Sequence, residues 1–274
     1  MINPLKVLVL YGYGLNCDWE TQFALNLAGA AAERVHVNEL ISGAVSLTDY
    51  YLLAVPGGFS WGDDHGAGVI LGLRLKLALQ KELEEFIQAG KLIIGICNGF
   101  QVLVNMGLLP GLDGNYNKRQ VALIPNDCGN FRDAWVSLHV PSSNCIFTRG
   151  IQRLELPIRH GEGKFYASEA MLDKLSANHQ VALQYAAPDG APAQGQFPNN
   201  PNGSLHDIAG ICDASGRVLG LMPHPEAHIT ALQHPTWTRQ KETWRRQHLP
   251  YPVPEGTGLK IFRNAVDYLR ETIL

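Results

Sequence analysis

The feature that most constrains the fold is a short apolar run that ends in a tight turn. Residues 92–96 read Leu-Ile-Ile-Gly-Ile, and Cys97-Asn98-Gly99 follows at once. The run is too short for a helix and too enclosed for an edge strand, so it predicts a strand buried on both faces. Buried strands that alternate with helices are typical of a parallel sheet. We therefore expect an α/β fold with a mostly parallel twisted sheet and helices on both faces.

The first 107 residues alternate between strand and helix patterns. Strands are predicted at 6–10 and 52–55, each followed by a glycine-containing turn. Asp18 is expected to cap the first helix, and Gly90 is expected to end a longer second helix. Their apolar sides are expected to carry Phe23, Leu27 and Ala30 in the first helix and Leu75, Leu79, Leu83 and Phe86 in the second.

The rest of the chain has a different pattern, with short strand candidates separated by turns. These candidates lie at 119–124, 134–140, 153–158, 181–185, 207–211 and 218–221. We expect them to add antiparallel strands at one end of the sheet. No break in composition separates the two halves, so residues 1–274 are interpreted as a single domain. Residues 232–256, rich in Trp, Pro, Arg and Gln, are interpreted as a surface insertion.

Charge and cysteine usage exclude several classes of protein. The net charge of −3 gives no electrostatic footprint for nucleic acid, and no apolar run approaches the roughly 20 residues that span a bilayer. The N-terminus lacks the pattern of a signal peptide. Five scattered cysteines without a Cys-x-x-Cys pair argue against a disulfide framework or a structural zinc site. A cytoplasmic protein is expected, without nucleic-acid or membrane partners.

Cys97 is the first candidate catalytic residue. Gly95 and Gly99 flank it at the end of the buried strand, and an amphipathic helix pattern begins directly afterwards. This arrangement is the cysteine counterpart of a nucleophile elbow. The helix N-terminus favours negative charge on the sulfur. The alternative is a buried structural cysteine in a strand-to-helix turn.

His224 and Glu226 are candidates for the base and for the residue that orients it. Both follow the apolar strand predicted at 218–221, and the carboxyl ends of neighbouring parallel strands meet at one edge of a sheet. His224 is therefore expected to act on the Cys97 thiol, and Glu226 to hold the imidazole. The alternative is a turn histidine beside a solvated carboxylate. A metal site on His224 and His228 is not expected, because Pro225 argues against a helix there.

Two glycine-rich turns supply candidates for substrate binding. Gly58 follows the strand at 52–55, and its N–H, with that of Asn98, is expected to form an oxyanion hole. A phosphate loop is disfavoured because no Lys-Ser/Thr follows, whereas a plain turn remains open. His160, Gly161 and Gly163 form the second turn, which is expected to contact the α-amino and carboxylate groups of an amino-acid substrate.

Together these motifs resemble the class I (triad) glutamine amidotransferases, whose fold is flavodoxin-like. Pro-Gly-Gly-Phe-Ser at 56–60, Gly-Ile-Cys-Asn-Gly-Phe-Gln at 95–101 and His-Pro-Glu at 224–226 carry the likeness. Asn-Pro-Asn-Gly-Ser at 200–204 and Asn-Cys-Asp at 16–18 point to the branch of glutaminase components of phosphoribosylformylglycinamidine synthase. The likeness covers about residues 5–230.

The resemblance implies a γ-glutamyl thioester on Cys97, with Phe59 and Gln101 helping to bind glutamine. It also implies that ammonia passes, in purine biosynthesis, to a large synthetase subunit, with or without a small third subunit. ATP and magnesium are expected on that partner, and no cofactor is expected on this chain. A glutaminase for another synthetase, a γ-glutamyl hydrolase and a catalytically silent scaffold stay open. Ala227 and the loop at 63–66 depart from the family pattern.

Overall fold

A computed structural model describes residues 4–248 and 255–273. Its strands are β1 (Lys6–Tyr11), β2 (Ala31–His36), β3 (Leu52–Val55), β4 (Leu92–Ile96), β5 (Ala122–Pro125), β6 (Arg132–His139), β7 (Arg153–His160), β8 (Glu162–Tyr166), β9 (Val181–Ala186), β10 (Ile208–Cys212) and β11 (Val218–Leu221). Its α-helices are α1 (Asp18–Leu27), α2 (Val37–Ile41), α3 (Val69–Gln88), α4 (Asn98–Met106), α5 (Glu169–Ala177), α6 (Trp237–Arg246) and α7 (Leu259–Thr272).

Nine of these strands form one sheet in the order β2-β1-β3-β4-β11-β10-β9-β6-β7. The first five run parallel to one another, and the remaining four pair antiparallel. β5 and β8 form a separate two-stranded sheet. The expected fold class is confirmed, including the antiparallel strands at one end.

The helices cover both faces because the chain reverses direction along the sheet. The connection from β1 to β2 runs toward one edge, and that from β3 to β4 runs toward the other. Right-handed crossovers therefore place α1 and α3 on opposite faces. α3 packs against α4, and α1 packs against α7. Every residue of β4, which lies between these two helix layers, is buried, as its sequence predicts.

Helix α3 matches its prediction, whereas α1 presents a different face to the sheet. Leu75, Leu79, Leu83 and Phe86 of α3 are buried, and Gly90 has the positive φ of a helix stop. In α1, however, Phe23 and Leu27 are 61% and 48% exposed, and the buried residues are Asp18, Thr21, Ala24 and Leu25. The predicted apolar side was therefore wrong, and Ala30 lies beyond the end of the helix.

The start of α1 also differs from its prediction. Cys17 is the N-cap residue, and Asp18 is the first helical residue, where its carboxylate forms an ion pair with Arg34 on β2 at 2.6 Å. This pair and the small buried residues of the helix place α1 against the sheet. The contact depends on β2, for which no strand was predicted, because its sequence mixes charged and apolar residues.

The predicted surface insertion is partly described. Helix α6 lies in it and has no buried residue, whereas residues 249–254 fall outside the described part of the chain. Buried core residues extend from Leu5 to Leu269; the interpretation of residues 1–274 as a single domain stays a prediction. Among the described residues, no helix combines the length and apolar character that spanning a membrane requires.

Two glycines allow β4 and α4 to pack closely enough to form the elbow. A Cβ atom on Gly99 would lie 1.8 Å from the carbonyl oxygen of Val55 in β3, and one on Gly95 would lie 2.6 Å from the carbonyl oxygen of Gly99. Both clashes involve backbone atoms, which rotation of a side chain does not relieve. The glycines flanking Cys97 are therefore required by packing, as the sequence predicts.

Replacing Gly99 by alanine is expected to destabilise the fold by about 1–3 kcal/mol or more, because overpacking here forces backbone apart. Gly161→Ala is the matched control, since its nearest contact would be the Cα of Phe131 at 3.9 Å. Urea unfolding of both variants measures the difference. Equal midpoints for the two would contradict this packing account.

Candidate active site

Cys97 lies in a strained conformation between β4 and α4. Its φ of 50° and ψ of −106° are unfavourable for a residue with a side chain, and such strain is typical of a nucleophile elbow. The N–H of Cys97 donates to the carbonyl oxygen of Leu221 at 2.8 Å, which anchors the turn to β11. The first N–H groups of α4 have no partner within the helix, so this end favours a negative charge on the sulfur.

His224 reaches the elbow because β4 and β11 are parallel neighbours. Leu221 pairs with Ile96, so the two chains leave the sheet side by side. The N–H of His224 donates to the carbonyl oxygen of Pro157 on β7 at 2.8 Å, which fixes its backbone. A Cβ atom on Gly57 would lie 2.8 Å from Cε1 of His224 and 3.5 Å from Cβ of Cys97. The ring and the nucleophile therefore border the same glycine.

The carboxylate of Glu226 contacts the imidazole of His224 at Nδ1. Its Oε1 lies 2.5 Å from Nδ1 of His224, and both side chains are buried. Burial lowers the pKa of His224, but the charges of Glu226 and Cys97 more than offset it, and the pKa rises well above its usual value. The imidazolium form is thus favoured beside the sulfur of Cys97. Cys97, His224 and Glu226 lie together as the sequence predicts.

A pocket of about 180 Å³ opens onto these groups. Cys97 is 5% exposed, so the thiol is buried in the pocket floor rather than sealed in the core. Its Sγ lies 3.6 Å from the carbonyl oxygen of Arg159. The lining residues are Asn16, Cys17, Glu20, Gly58, Phe59, Cys97, Phe131, Arg159 and His224.

The loop proposed for the oxyanion hole is fastened to the elbow by the side chain of Asn98. Its Oδ1 accepts from the N–H of Ser60 at 3.2 Å, and its Nδ2 donates to Oδ1 of Asp63 at 3.0 Å. Gly58 lines the pocket with a φ of 145°, and a Cβ atom there would lie 2.4 Å from the carbonyl oxygen of Gly14. The hole formed by the N–H groups of Gly58 and Asn98 stays a prediction.

Burial also changes the pKa of Asp63, the acidic residue in this loop. Burial and the nearby charge of Glu162 raise the pKa of Asp63 to about 6, although the hydrogen bond from Asn98 opposes them. Asp63 and Glu162 are therefore close enough to repel. The contact between the loop and the elbow depends on Asn98, whose side chain bridges Ser60 and Asp63.

The residues predicted to bind substrate fall into two groups. Phe59 lies at the pocket and is 43% exposed, whereas Gln101, His160, Gly161 and Gly163 are not among its lining residues. The amide of Gln101 donates to the carbonyl oxygen of Glu162 and accepts from Nδ2 of Asn98 at 3.0 Å. Gln101 therefore ties α4 to β8, and its direct contact with substrate stays a prediction.

Two asparagines, Asn126 and Asn202, hold the turn that contains His160, Gly161 and Gly163. Asn126 Oδ1 lies 3.1 Å from Nδ1 of His160 and accepts from the N–H of Gly163, and its N–H donates to the carbonyl oxygen of Gly161. Asn202 Nδ2 donates to the carbonyl oxygen of Gly163 at 2.9 Å. Burial and then the charge of His224 lower the pKa of His160 to about 3, so its ring is neutral. Substrate contact by this turn stays a prediction.

Sequence reasoning assigned no role in the site to several residues that line the pocket, although Asn16 and Cys17 belong to a motif that carries the family likeness. Asn16, Cys17 and Glu20 follow β1, a parallel neighbour of β3, so their position at the carboxyl ends of the strands was an available signal. Arg159 lies on β7 and Phe131 directly precedes β6, both strands of the antiparallel half of the sheet, and no local pattern marks either residue.

The described residues contain one group that satisfies simple metal-ligand distances. It consists of Cys17, His224 and Glu226, each offering one ligand atom within 4.8 Å of the others. His228, weighed as a ligand from its spacing, is not part of it. The Nδ1 of His228 lies 2.6 Å from the carbonyl oxygen of Glu155, and its ring packs edge-on against Trp135.

Comparison with known proteins agrees with this geometry. The family model of the CobB/CobQ-like glutamine amidotransferase domain matches residues 4–269. The phosphoribosylformylglycinamidine synthase subunit PurQ of Methanococcus maripaludis (strain S2) is 44% identical over 97% of this chain and 98% of its own. The same subunit of Dehalococcoides mccartyi is also 44% identical, over 98% of this chain and 100% of its own.

Solved structures give the same result. A chain in the structure of PurLQS from Thermotoga maritima superposes with a TM-score of 0.70 and 30% identity, covering 97% of this chain and 99% of that one. A further glutamine amidotransferase from Thermotoga maritima, 16% identical with a TM-score of 0.53, shares the fold. The chain therefore belongs to the glutamine amidotransferase family, within the group of phosphoribosylformylglycinamidine synthase PurQ subunits, and is a glutamine amidotransferase.

Proposed function

We propose that this chain is the glutaminase subunit of phosphoribosylformylglycinamidine synthase. It hydrolyses glutamine to glutamate and ammonia and delivers the ammonia to a synthetase subunit that makes formylglycinamidine ribonucleotide with ATP. The observation that carries the proposal is a strained Cys97 that shares a pocket with His224, in a chain 44% identical to PurQ over nearly its whole length. The pathway is the biosynthesis of purines.

In the first half-reaction, the Cys97 sulfur attacks the γ-carboxamide carbon of glutamine. The oxygen that becomes an anion accepts hydrogen bonds from the N–H groups of Gly58 and Asn98. The imidazolium of His224, whose pKa is raised, gives its proton to the departing nitrogen. The C–N bond breaks, ammonia leaves, and a γ-glutamyl thioester remains on Cys97.

In the second half-reaction, water attacks the thioester carbon. His224, now neutral, takes a proton from the water, the C–S bond breaks, and glutamate leaves. Glu226 keeps Nδ1 of His224 protonated throughout, so the other nitrogen, Nε2, moves the proton. The buried carboxylate also stabilises the imidazolium each time it forms.

The partner in this proposal is a large synthetase subunit in the cytoplasm, with or without a small third subunit. ATP and magnesium bind to that partner, and this chain holds no cofactor. Support comes from the match to a chain of PurLQS over 97% of this chain. Ala227, which is half-buried beside Glu226, and His65, whose side chain is 78% exposed, stand where the family pattern differs. Neither belongs to the triad.

Three other functions give different results in a growth test. A glutaminase for another synthetase and a γ-glutamyl hydrolase retain Cys97 chemistry but do not restore growth of a purine-auxotrophic strain that lacks this subunit. A silent scaffold restores assembly without glutamine hydrolysis. The strained conformation of Cys97 favours catalysis over the scaffold, because backbone strain of this kind clusters at active sites.

Glu226→Gln is expected to lower kcat for glutamine hydrolysis roughly 10²–10⁴-fold, the range of general acid–base catalysis. The carboxylate charge raises the pKa of His224, so that pKa falls in the variant, and the imidazolium is lost at lower pH than in the wild type. Kinetics and NMR titration of the imidazole measure the two effects. Glu242→Gln, on exposed α6, is the control. An unchanged His224 pKa would contradict the proposed role of Glu226.

Cys97→Ala is expected to abolish synthesis of formylglycinamidine ribonucleotide from glutamine while sparing synthesis driven by free ammonium. The reason is that Cys97 serves only the release of ammonia, and the partner carries out the ATP-dependent step. The assay uses the chain with its synthetase partner and compares both nitrogen sources. Cys128→Ala, outside the pocket, is the control. Loss of both activities in the Cys97 variant would overturn the division of labour.

A further inference from the structure

The catalytic pocket contains a second thiol that the proposed reaction does not use. Cys17 is half-buried at the start of α1 and lines the pocket together with Cys97. Its N–H lies 3.3 Å from the carbonyl oxygen of Gly57, which fixes its backbone against the loop after β3. A Cβ atom on Gly57 would lie 3.4 Å from Sγ of Cys17 and 3.5 Å from Cβ of Cys97. Two thiols therefore border the same small space.

The imidazole of His224 lies beside both thiols. Its Nδ1 is taken by Glu226, and the thiols of Cys17 and Cys97 both lie close enough to the ring to raise its pKa through hydrogen bonds. A ligand atom of His224 lies within 4.8 Å of Sγ of Cys17.

We propose that Cys17, Cys97 and Nε2 of His224 bind a thiophilic divalent cation such as Zn²⁺, which inhibits the enzyme reversibly. Thiolate and imidazole are the ligands that zinc prefers, and its bonds of about 2.0–2.3 Å place tetrahedral ligand atoms roughly 3.5 Å apart. A ligand atom of Cys17 and one of His224 already lie within 4.8 Å of each other, and Cys97 borders the same glycine and lines the same pocket. The pocket leaves the fourth position open to water.

Glu226 completes this arrangement without binding the ion. A histidine that binds zinc commonly donates its other N–H to a carboxylate, which fixes the ring and strengthens the metal bond. The contact between Nδ1 of His224 and Oε1 of Glu226 supplies that pair. Two thiolates also balance the charge of one divalent cation, so the filled site adds no net charge inside the pocket beyond that of Glu226.

A bound ion would block both catalytic groups at once. Coordination occupies the electron pair with which the Cys97 sulfur attacks and the nitrogen with which His224 moves protons. Inhibition follows from the proposed function, on which this consequence rests, whereas metal binding itself does not depend on it. Without Cys17 the site would be a Cys–His pair, which binds zinc weakly. With Cys17 it has three protein ligands.

The test measures Zn²⁺ affinity of the full chain by competition with a chromogenic chelator. Cys17→Ser is expected to weaken Zn²⁺ binding at least about tenfold. The loss of a metal ligand should weaken binding no less than the loss of a residue that hydrogen-bonds to a ligand, which has an effect of about that size. Cys128→Ser, which removes a thiol that does not line the pocket, should bind as the wild type does. Equal affinity in the wild type and the Cys17 variant would overturn the proposal.

A second measurement uses the wild type and so does not depend on how a variant folds. Bound Zn²⁺ should slow alkylation of Cys17 and Cys97 by iodoacetamide, measured by peptide mass spectrometry, and leave Cys128 unaffected. Unchanged alkylation of Cys17 at saturating Zn²⁺ would overturn the proposal. Glutamine hydrolysis in chelator-treated buffer is measured alongside. Its absence there would count against the proposed function, whatever the outcome of the binding measurements.

Discussion

The site depends on one strained residue, Cys97, whose positive φ turns the chain sharply from β4 into α4. A conformation of this kind costs about 1–3 kcal/mol and persists only where the surroundings fix it. Here Gly99 packs against the carbonyl oxygen of Val55, and the N–H of Cys97 is held by Leu221. The sulfur is therefore presented at the carboxyl edge of the sheet by the packing of three adjacent strands, without help from a flexible loop.

The place where the sheet changes from parallel to antiparallel supplies the base. β11 pairs parallel with β4 and antiparallel with β10, so His224 leaves the sheet beside Cys97 while its backbone contacts the antiparallel half at Pro157. That half also brings the carbonyl oxygen of Arg159 to 3.6 Å from the Cys97 sulfur. The added strands thus form one wall of the pocket, and they fix the imidazole opposite the elbow.

The central part of this arrangement was predictable because it is encoded locally. Cys97 and His224 each follow an apolar strand, and parallel neighbours bring such residues together. The orientation of α1 was not predictable from the sequence, since Phe23 and Leu27 form an apolar stripe that the fold leaves exposed. Which stripe faces the sheet depends on distant contacts such as that of Asp18 with Arg34. The same holds for His160, which is braced by Asn126 rather than by its own neighbours.

The central claim is that the buried Cys97 sulfur, activated by His224, attacks the side-chain carbonyl of glutamine. Covalent labelling with an electrophilic glutamine analogue, in the presence of the synthetase partner, tests it most directly. The account predicts one adduct per chain, on Cys97 and suppressed by excess glutamine. Absence of an adduct, or an adduct on the neighbouring Cys17 instead, would contradict it.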